Sequence, residues 1–498
     1  MKTLLFFGRQ NSMKKSLRYL FTGFTAAVFF SLTVTANVRM PVIFSDNMVL
    51  QRDASIRIWG WAGQDERVTV ILGDQKQVAR TGRDGQWEVN LSPMEAGGPF
   101  NMRVEGSNSL EFNNILIGDV WVCSGQSNME WPVNRSANPE TEIKNASYPE
   151  IRLFTVPRTT GMSPADDLEG GEWLECSPES IPSFSAVGYY FGRHIHRESG
   201  VPVGLLHSSW GGTVAETWIS RETIASLDDF SDMLENTGNE DPDKIQAETP
   251  GPNSFPSLLY NGMINPITPF SIKGIIWYQG ESNAGRAYQY REIFPALIAD
   301  WRKQWGQDEL PFLFVQLANF MAPVSEPAES DWAELREAQA MALSLPATGM
   351  AVAIDIGEAD DIHPLNKQDV GKRLALSALK VAYGRDIVHS GPVYNSMSIE
   401  GGRIRLSFTS VGSGLMAKDK YGYLKGFAIA GEDREFHWAK AYIDNDEVVV
   451  YCDKVKSPVA VRYAWGNNPD DANLYNTEGL PASPFRTDEW PGITLGVK

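Results

Sequence analysis

The chain has 498 residues, 42% of them hydrophobic, 21% charged and 11% aromatic, which suits a folded chain of several domains and excludes a disordered one. Lys and Arg number 44 against 62 Asp and Glu, a net charge of −18 that repels phosphate backbones and speaks against a nucleic-acid partner. Three cysteines are too few for a disulfide framework.

The first 36 residues are the exception to this acidity. They carry Lys2, Arg9, Lys14, Lys15 and Arg18 and no acid, then the uncharged run YLFTGFTAAVFFSLTVTA, ending Val34-Thr35-Ala36. A basic segment, an apolar segment and a small-x-Ala end predict a cleaved signal peptide over 1–36. The competing reading is an uncleaved anchor, because the run approaches the length of a membrane span. Met13-Lys14-Lys15 makes the more natural start. Loss of the five basic residues takes the net charge from −18 to −23. No later stretch is long and apolar enough to cross a membrane, so the mature protein is expected to be secreted or periplasmic.

Residues 37–112 are expected to form an N-terminal β-sandwich. SIRIWGWA (55–62), RVTVILGD (67–74) and QWEVNLS (86–92) alternate apolar and polar residues between Gly-Asp and Asp-Gly turns. From 113 to 385 apolar runs alternate with helical patterns. NILIGDVWVCSG, IRLFTV (151–156), VPVGLLHSSW, KGIIWYQG, PFLFVQLA and GMAVAID read as buried strands. FSAVGYYFGRHIHRES, YQYREIFPALIADWRKQW, ESDWAELREAQAMALSL and NKQDVGKRLALSALKVAYG read as helices. That series predicts an α/β domain with a parallel sheet and crossover helices. The polar, Pro-containing stretch 238–258 reads as a surface insertion. Residues 386–498 return to strands, RIRLSFT, GYLKGFAIAG, EVVVYCD and VAVRYAWG, followed by a loop-like tail.

Ligands of open α/β sheets sit beyond the carboxyl ends of the strands, and four such ends here are rich in small and polar residues. They are Ser124-Gly125-Gln126-Ser127-Asn128, Trp210-Gly211-Gly212-Thr213, Gln279-Gly280-Glu281-Ser282-Asn283, and Glu358-Ala359-Asp360-Asp361-Ile362-His363. Ser127, following Gly125 at a strand-to-helix turn, suits a nucleophile. Of six histidines, His194 and His196 fall on a helix, His207 inside an apolar strand, and His389 and His437 in the later β region. His363 alone lies in a strand-end loop, with Asp360 and Asp361 beside it to orient the ring. Backbone N–H groups at Ser127, Gly211 and Gly212 and the Asn283 carboxamide are candidate oxyanion donors. The set implies acyl transfer to water. Cys123 reads as a small buried packing residue, and Cys176 and Cys452 as a pair or as free thiols. No metal-ligand spacing and no phosphate-cradling loop is present.

At these residues the chain resembles the sialate O-acetylesterase family, a branch of the SGNH hydrolases. GDVWVCSGQSNM (118–129), SSWGGT (208–213), WYQGESNA (277–284) and DIHPLNKQDVGKRLA (361–375) are similar to its blocks. The resemblance implies Ser127 as nucleophile, Gly212 and next Gly211 in the oxyanion hole, Asn283 as side-chain donor and His363 as base. The acid stays open: Asp-x-x-His fits Asp360, whereas relatives often carry an acid two residues before the His, as Asp361 is, and some manage with a Ser–His dyad. Gln126, Trp210, Gln279 and Glu281 are the expected substrate-binding residues. The tail NLYNTEGLPASPFRTD (473–488) is also family-like and expected near the pocket. The fold implied is a flavodoxin-like three-layer core needing no metal or other cofactor, and the substrate an O-acetylated sugar. Sialate comes first, with acetylated xylan, xyloglucan or another hemicellulose as the alternative. A non-catalytic glycan-binding protein on the same fold is the alternative of a different class. Trp131, Trp210 and Trp277 suit stacking on a pyranose face.

Overall fold

The structure, a computed structural model, describes residues 37–230, 234, 253 and 255–498. The leader 1–36 and most of the 238–258 stretch lie outside the described residues. At the centre is a sheet with strand order Thr348–Ala351, Phe312–Val315, Gly274–Tyr278, Ser109–Gly125, Val203–Ser209, Tyr148–Thr155, Trp173–Cys176. All neighbours are parallel except the last pair, which is antiparallel. With the two edge strands Tyr148–Thr155 and Trp173–Cys176 set aside, the other five run in the flavodoxin-like order 2-1-3-4-5. The strands Val203–Ser209 and Gly274–Tyr278 are buried along their whole length, as a sheet covered on both faces requires.

Side-chain alternation assigns the two covers. Trp121 meets Phe191 of the helix Ala186–Ser199 at 5.0 Å between ring centroids, whereas Trp277, in register with Ser124, meets Trp301 of the helix Ala287–Trp305 at 5.6 Å. An odd number of residues along the register separates these tryptophans, so they face opposite sides. Helices Ala186–Ser199 and Lys367–Val381 pack together on the first side, and Ala287–Trp305 and Asp331–Met341 on the second. Their ends carry local signals: the Ser185 and Ser330 hydroxyls accept from Gly188 and Ala333 N–H, and Gly200 and Gly306 close helices in left-handed conformation.

The strand Ser109–Gly125 belongs to two sheets. Its first half pairs with Gly97–Glu105 and with Val49–Gln51, and its second half with Val203–Ser209 and Gly274–Tyr278. Position 112/113 falls within it. Strands Arg67–Leu72 and Gln75–Arg80 extend the first sheet, and Ile56–Trp61 pairs with Gln86–Leu91 beside it. The C-terminal region holds two four-stranded antiparallel sheets and a short pair, Leu415–Ala417 with Leu474–Asn476. The tail expected as loop thus contributes the strands Leu474–Asn476 and Phe485–Arg486. It is fastened to the core by Tyr475 OH on Asp355 (2.9 Å), Arg486 on Glu337 (2.8 Å) and the N–H groups of Ile493 and Thr494 on Glu334 (2.7 and 3.1 Å).

Candidate active site

The sheet reverses its strand order between Ser109–Gly125 and Gly274–Tyr278, and the four polar loops meet beyond that point. Gly125 has φ +134°, and a Cβ there would lie 2.1 Å from the Tyr278 carbonyl oxygen. Only glycine lets the two strands approach so closely while the chain turns. Gln126 N–H then donates to that carbonyl (2.9 Å), and the short helix Ser127–Glu130 begins. Ser127 is half-buried at the start of this helix.

Ser127 Oγ lies 2.9 Å from His363 Nε2. The other ring nitrogen, Nδ1, faces Asp361 Oδ1 at 3.4 Å, and the same carboxylate oxygen accepts the His363 backbone N–H at 2.8 Å. Asp360 is exposed and makes no hydrogen bond or ion pair among the described residues. Trp131 stacks on the imidazole, 4.7 Å between centroids with 12° between planes, and Arg135 covers the indole at 3.9 Å. Burial is the main influence lowering the His363 pKa from 6.5; the nearby Lys367 charge adds to it, Asp361 opposes it, and the net shift is downward. The arrangement can move a proton from a serine hydroxyl to a neutral imidazole.

The two glycines of the second loop are not equivalent. Gly211 N–H is taken by Glu130 Oε2 at 2.6 Å, and a Cβ on Gly211 would touch Ser127 Cβ at 3.1 Å. Gly212, at φ +75°, donates its N–H to no acceptor among the described residues. Glu130 is itself paired with Arg158, which lies 5.5 Å from the Trp210 ring. Asn283 is buried with its carboxamide fixed. Its Oδ1 accepts from Ala215 N–H (3.0 Å) and Gln279 Nε2 (2.6 Å), and its Nδ2 donates to Glu216 Oε2 (3.0 Å), leaving one amide hydrogen uncommitted among the described residues.

Of the four expected substrate-binding residues, Trp210 is partly exposed beside the Ser127 turn. Gln126 and Gln279 are buried and spend their amides inside the protein, Gln126 Oε1 on Gly280 N–H (3.3 Å) and Gln279 Oε1 on the Tyr290 hydroxyl (2.9 Å). Glu281 Oε1 accepts from Asn128 Nδ2 at 2.6 Å. Trp277, expected to suit a sugar, offers no ring face: it is wholly buried between Trp218 and Trp301, because its register position aims it under the sheet. His207 is the buried core histidine expected, its Nε2 2.6 Å from Ser209 Oγ. Cys123 is buried as expected, and Cys176 and Cys452 are unbridged. Sequence reasoning did not single out Glu130, Asn128 or Lys367, although all three lie inside or beside the motif blocks. Their partners lie far along the chain, and no local pattern marks them.

The segment 117–380, which contains all four loops, matches the family model for carbohydrate esterase, sialic acid-specific acetylesterase. Sialate O-acetylesterases from Pongo abelii and Homo sapiens are 32% and 31% identical to the chain, each match covering 92% of this chain and 95% of the relative. A carbohydrate acetylesterase from Xanthomonas citri, solved by crystallography, superposes with a TM-score of 0.84 at 43% identity, covering 91% of this chain and all of that one. By family match, by full-length similarity and by fold, the chain belongs to the sialic acid-specific acetylesterase family of carbohydrate esterases and is a carboxylic ester hydrolase.

Proposed function

We propose that this esterase removes O-acetyl groups from sugars through an acetyl-Ser127 intermediate, with O-acetylated sialic acid as the preferred substrate. The observation that carries the mechanism is the 2.9 Å contact between Ser127 Oγ and His363 Nε2 at the sheet's switch point. Ser127 Oγ attacks the acetyl carbonyl carbon while His363 Nε2 takes its proton. The carbonyl oxygen becomes an oxyanion, met by the N–H groups of Ser127 and Gly212 and the uncommitted amide hydrogen of Asn283. Collapse breaks the bond to the sugar oxygen, which leaves as the alcohol with the proton from His363. Water then attacks the acetyl-serine with His363 again as base, releasing acetate and restoring Ser127. Asp361 favours the tautomer with hydrogen on Nδ1 and stabilises the transient imidazolium. The basic and apolar leader 1–36 supports export, which would bring the enzyme to extracellular or periplasmic glycans.

Acetate release from a small acetyl ester tests the mechanism. Ser127→Ala should lose activity by several orders of magnitude, and full activity in that variant would sink the acyl-serine route. Acetate release from O-acetylated sialic acids and from acetylated xylo-oligosaccharides tests the substrate. A higher kcat/KM on the sialic acids is expected, and a reversed order would assign the enzyme to hemicellulose.

A further inference from the structure

Three side chains beside the Ser127–His363 pair take no part in the acyl-transfer steps. They are Asn128, Glu281 and Lys367. Asn128 is 1% exposed, Lys367 is fully buried, and Glu281 Oε2 is a buried oxygen with no hydrogen-bond partner among the described residues. Lys367 is also the first residue of the helix Lys367–Val381, where the helix dipole disfavours a cation. Burying an ammonium and a carboxylate costs several kcal/mol per ion unless they are well compensated. An arrangement this costly next to a nucleophile points to a role in function.

The three groups act on one amide. Asn128 Nδ2 donates to Glu281 Oε1 at 2.6 Å and to the Ile362 carbonyl oxygen at 3.0 Å, while Asn128 Oδ1 accepts from Lys367 Nζ. A carboxylate only accepts and an ammonium only donates. An amide placed between them therefore has a single allowed orientation, with its nitrogen toward Ile362. Asn128 directly follows Ser127, and Ile362 directly precedes His363. The Asn128–Ile362 hydrogen bond is thus a cross-tie one residue from each of the two reacting groups.

We infer that Asn128 is a positioning residue for the Ser127–His363 pair, and that Glu281 and Lys367 are there to lock its carboxamide in the orientation that makes the cross-tie. The inference rests on the reading of Ser127 as nucleophile and His363 as base. Lys367 has a second effect through its charge. The charged groups acting on His363 are Lys367, Asp361 and Arg135, and those acting on Lys367 are Glu281, Asp361 and Glu358. The rings of Tyr278 and Trp131 lie 5.5 and 6.0 Å from Lys367 Nζ. Burial draws the Lys367 pKa down to about 7, so below that pH the ammonium is charged and opposes protonation of His363.

Steady-state kinetics against pH on a small acetyl ester, with melting curves, test this in the parent and in Asn128→Asp, Lys367→Met and Glu281→Gln. Asn128→Asp keeps the shape and the Lys367 contact but loses both donors. It should lower kcat by about 10- to 100-fold, the scale of a misplaced reacting group, with KM changed by less than about 3-fold. Lys367→Met should also lower kcat, and it should move the acid limb of kcat/KM to higher pH, because a positive charge has left the neighbourhood of His363. Glu281→Gln can still accept from Asn128 through its amide oxygen and should show a smaller loss, which keeps the test open if Lys367→Met melts early. Parental kcat in Asn128→Asp, or an unmoved acid limb in Lys367→Met, would overturn the inference. A parent that releases no acetate, or a fully active Ser127→Ala, would instead remove the reading beneath it.

Discussion

At the residue scale the two neighbouring acids before His363 separate cleanly. Asp361 holds the histidine backbone N–H at 2.8 Å and faces Nδ1 at 3.4 Å, a long contact for a charge-assisted hydrogen bond. Asp360 points to solvent. Asp361→Asn should therefore lower kcat while Asp360→Asn matches the parent, and acetate release measures both. The pH dependence has a defined sign. Burial, then Lys367, lower the His363 pKa and Asp361 raises it, with a net value below 6.5. The neutral base thus persists below the pH at which a free imidazole is half protonated, and Asp361→Asn should carry the acid limb lower still. If neither substitution lowers kcat, Ser127 and His363 work as a dyad. Ser127 and His363 were legible in the sequence because a turn serine after Gly125 and one loop histidine among six leave few alternatives. The choice between Asp360 and Asp361 was not, since it depends on a local turn in which Glu358 and Asp361 bridge. The preference for Gly212 came from the resemblance to the family blocks alone; its physical reason, Glu130 occupying Gly211 N–H across 81 positions of chain, was not legible.

At the scale of elements, the turn that carries Ser127 depends on a residue with no side chain. Gly125→Ala would bring a methyl group to 2.1 Å from the Tyr278 carbonyl at φ +134°. The expected result is a loss of stability of about 1–3 kcal/mol or more together with a fall in kcat, since Tyr278 and Ser127 must separate. A urea midpoint and acetate release read the two effects, and a parental midpoint would show that the approach is not tight. The core strands were legible as unbroken apolar runs, because a strand covered on both faces has no polar side to interrupt it. The strand Gln75–Arg80 was not, because QKQVAR has only exposed or half-buried positions and thus no alternation to detect. Trp277 shows the same limit from the other side. Its place in a motif block drew attention to it, but the parity of a strand decides which face a ring meets.

For the molecule as a whole, Arg336 is the main stitch between the core and the C-terminal sheets. Its fully buried guanidinium donates to the carbonyls of Leu317 (2.8 Å), Ala318 (2.8 Å), Gly466 (2.6 Å) and Asn467 (3.0 Å). From there Asn468 meets Asn319 (2.7 Å), and Asn319 accepts the N–H of Gly357 (2.6 Å), in the loop that leads to His363. Arg336→Leu leaves the Leu317 and Gly466 carbonyls without a donor, while Ala318 O keeps Trp332 Nε1 and Asn467 O keeps the Phe320 N–H, and should cost about 3–5 kcal/mol in a denaturant titration. Activity should fall with it, because the His363 loop loses its brace; unchanged stability would mean that water replaces the guanidinium. This link joins positions 130 residues apart and has no signature in composition or periodicity. The strand Ser109–Gly125 has a consequence of another kind, for the time course of synthesis. It lies in the middle of the central sheet, yet it is the first of the six parallel strands to leave the ribosome. Its two flanking partners end at Ser209 and Tyr278, and at usual translation speeds the second arrives on the order of ten seconds later. Until Ser209 emerges, a strand buried along its later half in the finished protein has both edges of that half bare, and one edge stays bare until Tyr278 follows, which makes the nascent chain, rather than the finished enzyme, the form most in need of a chaperone.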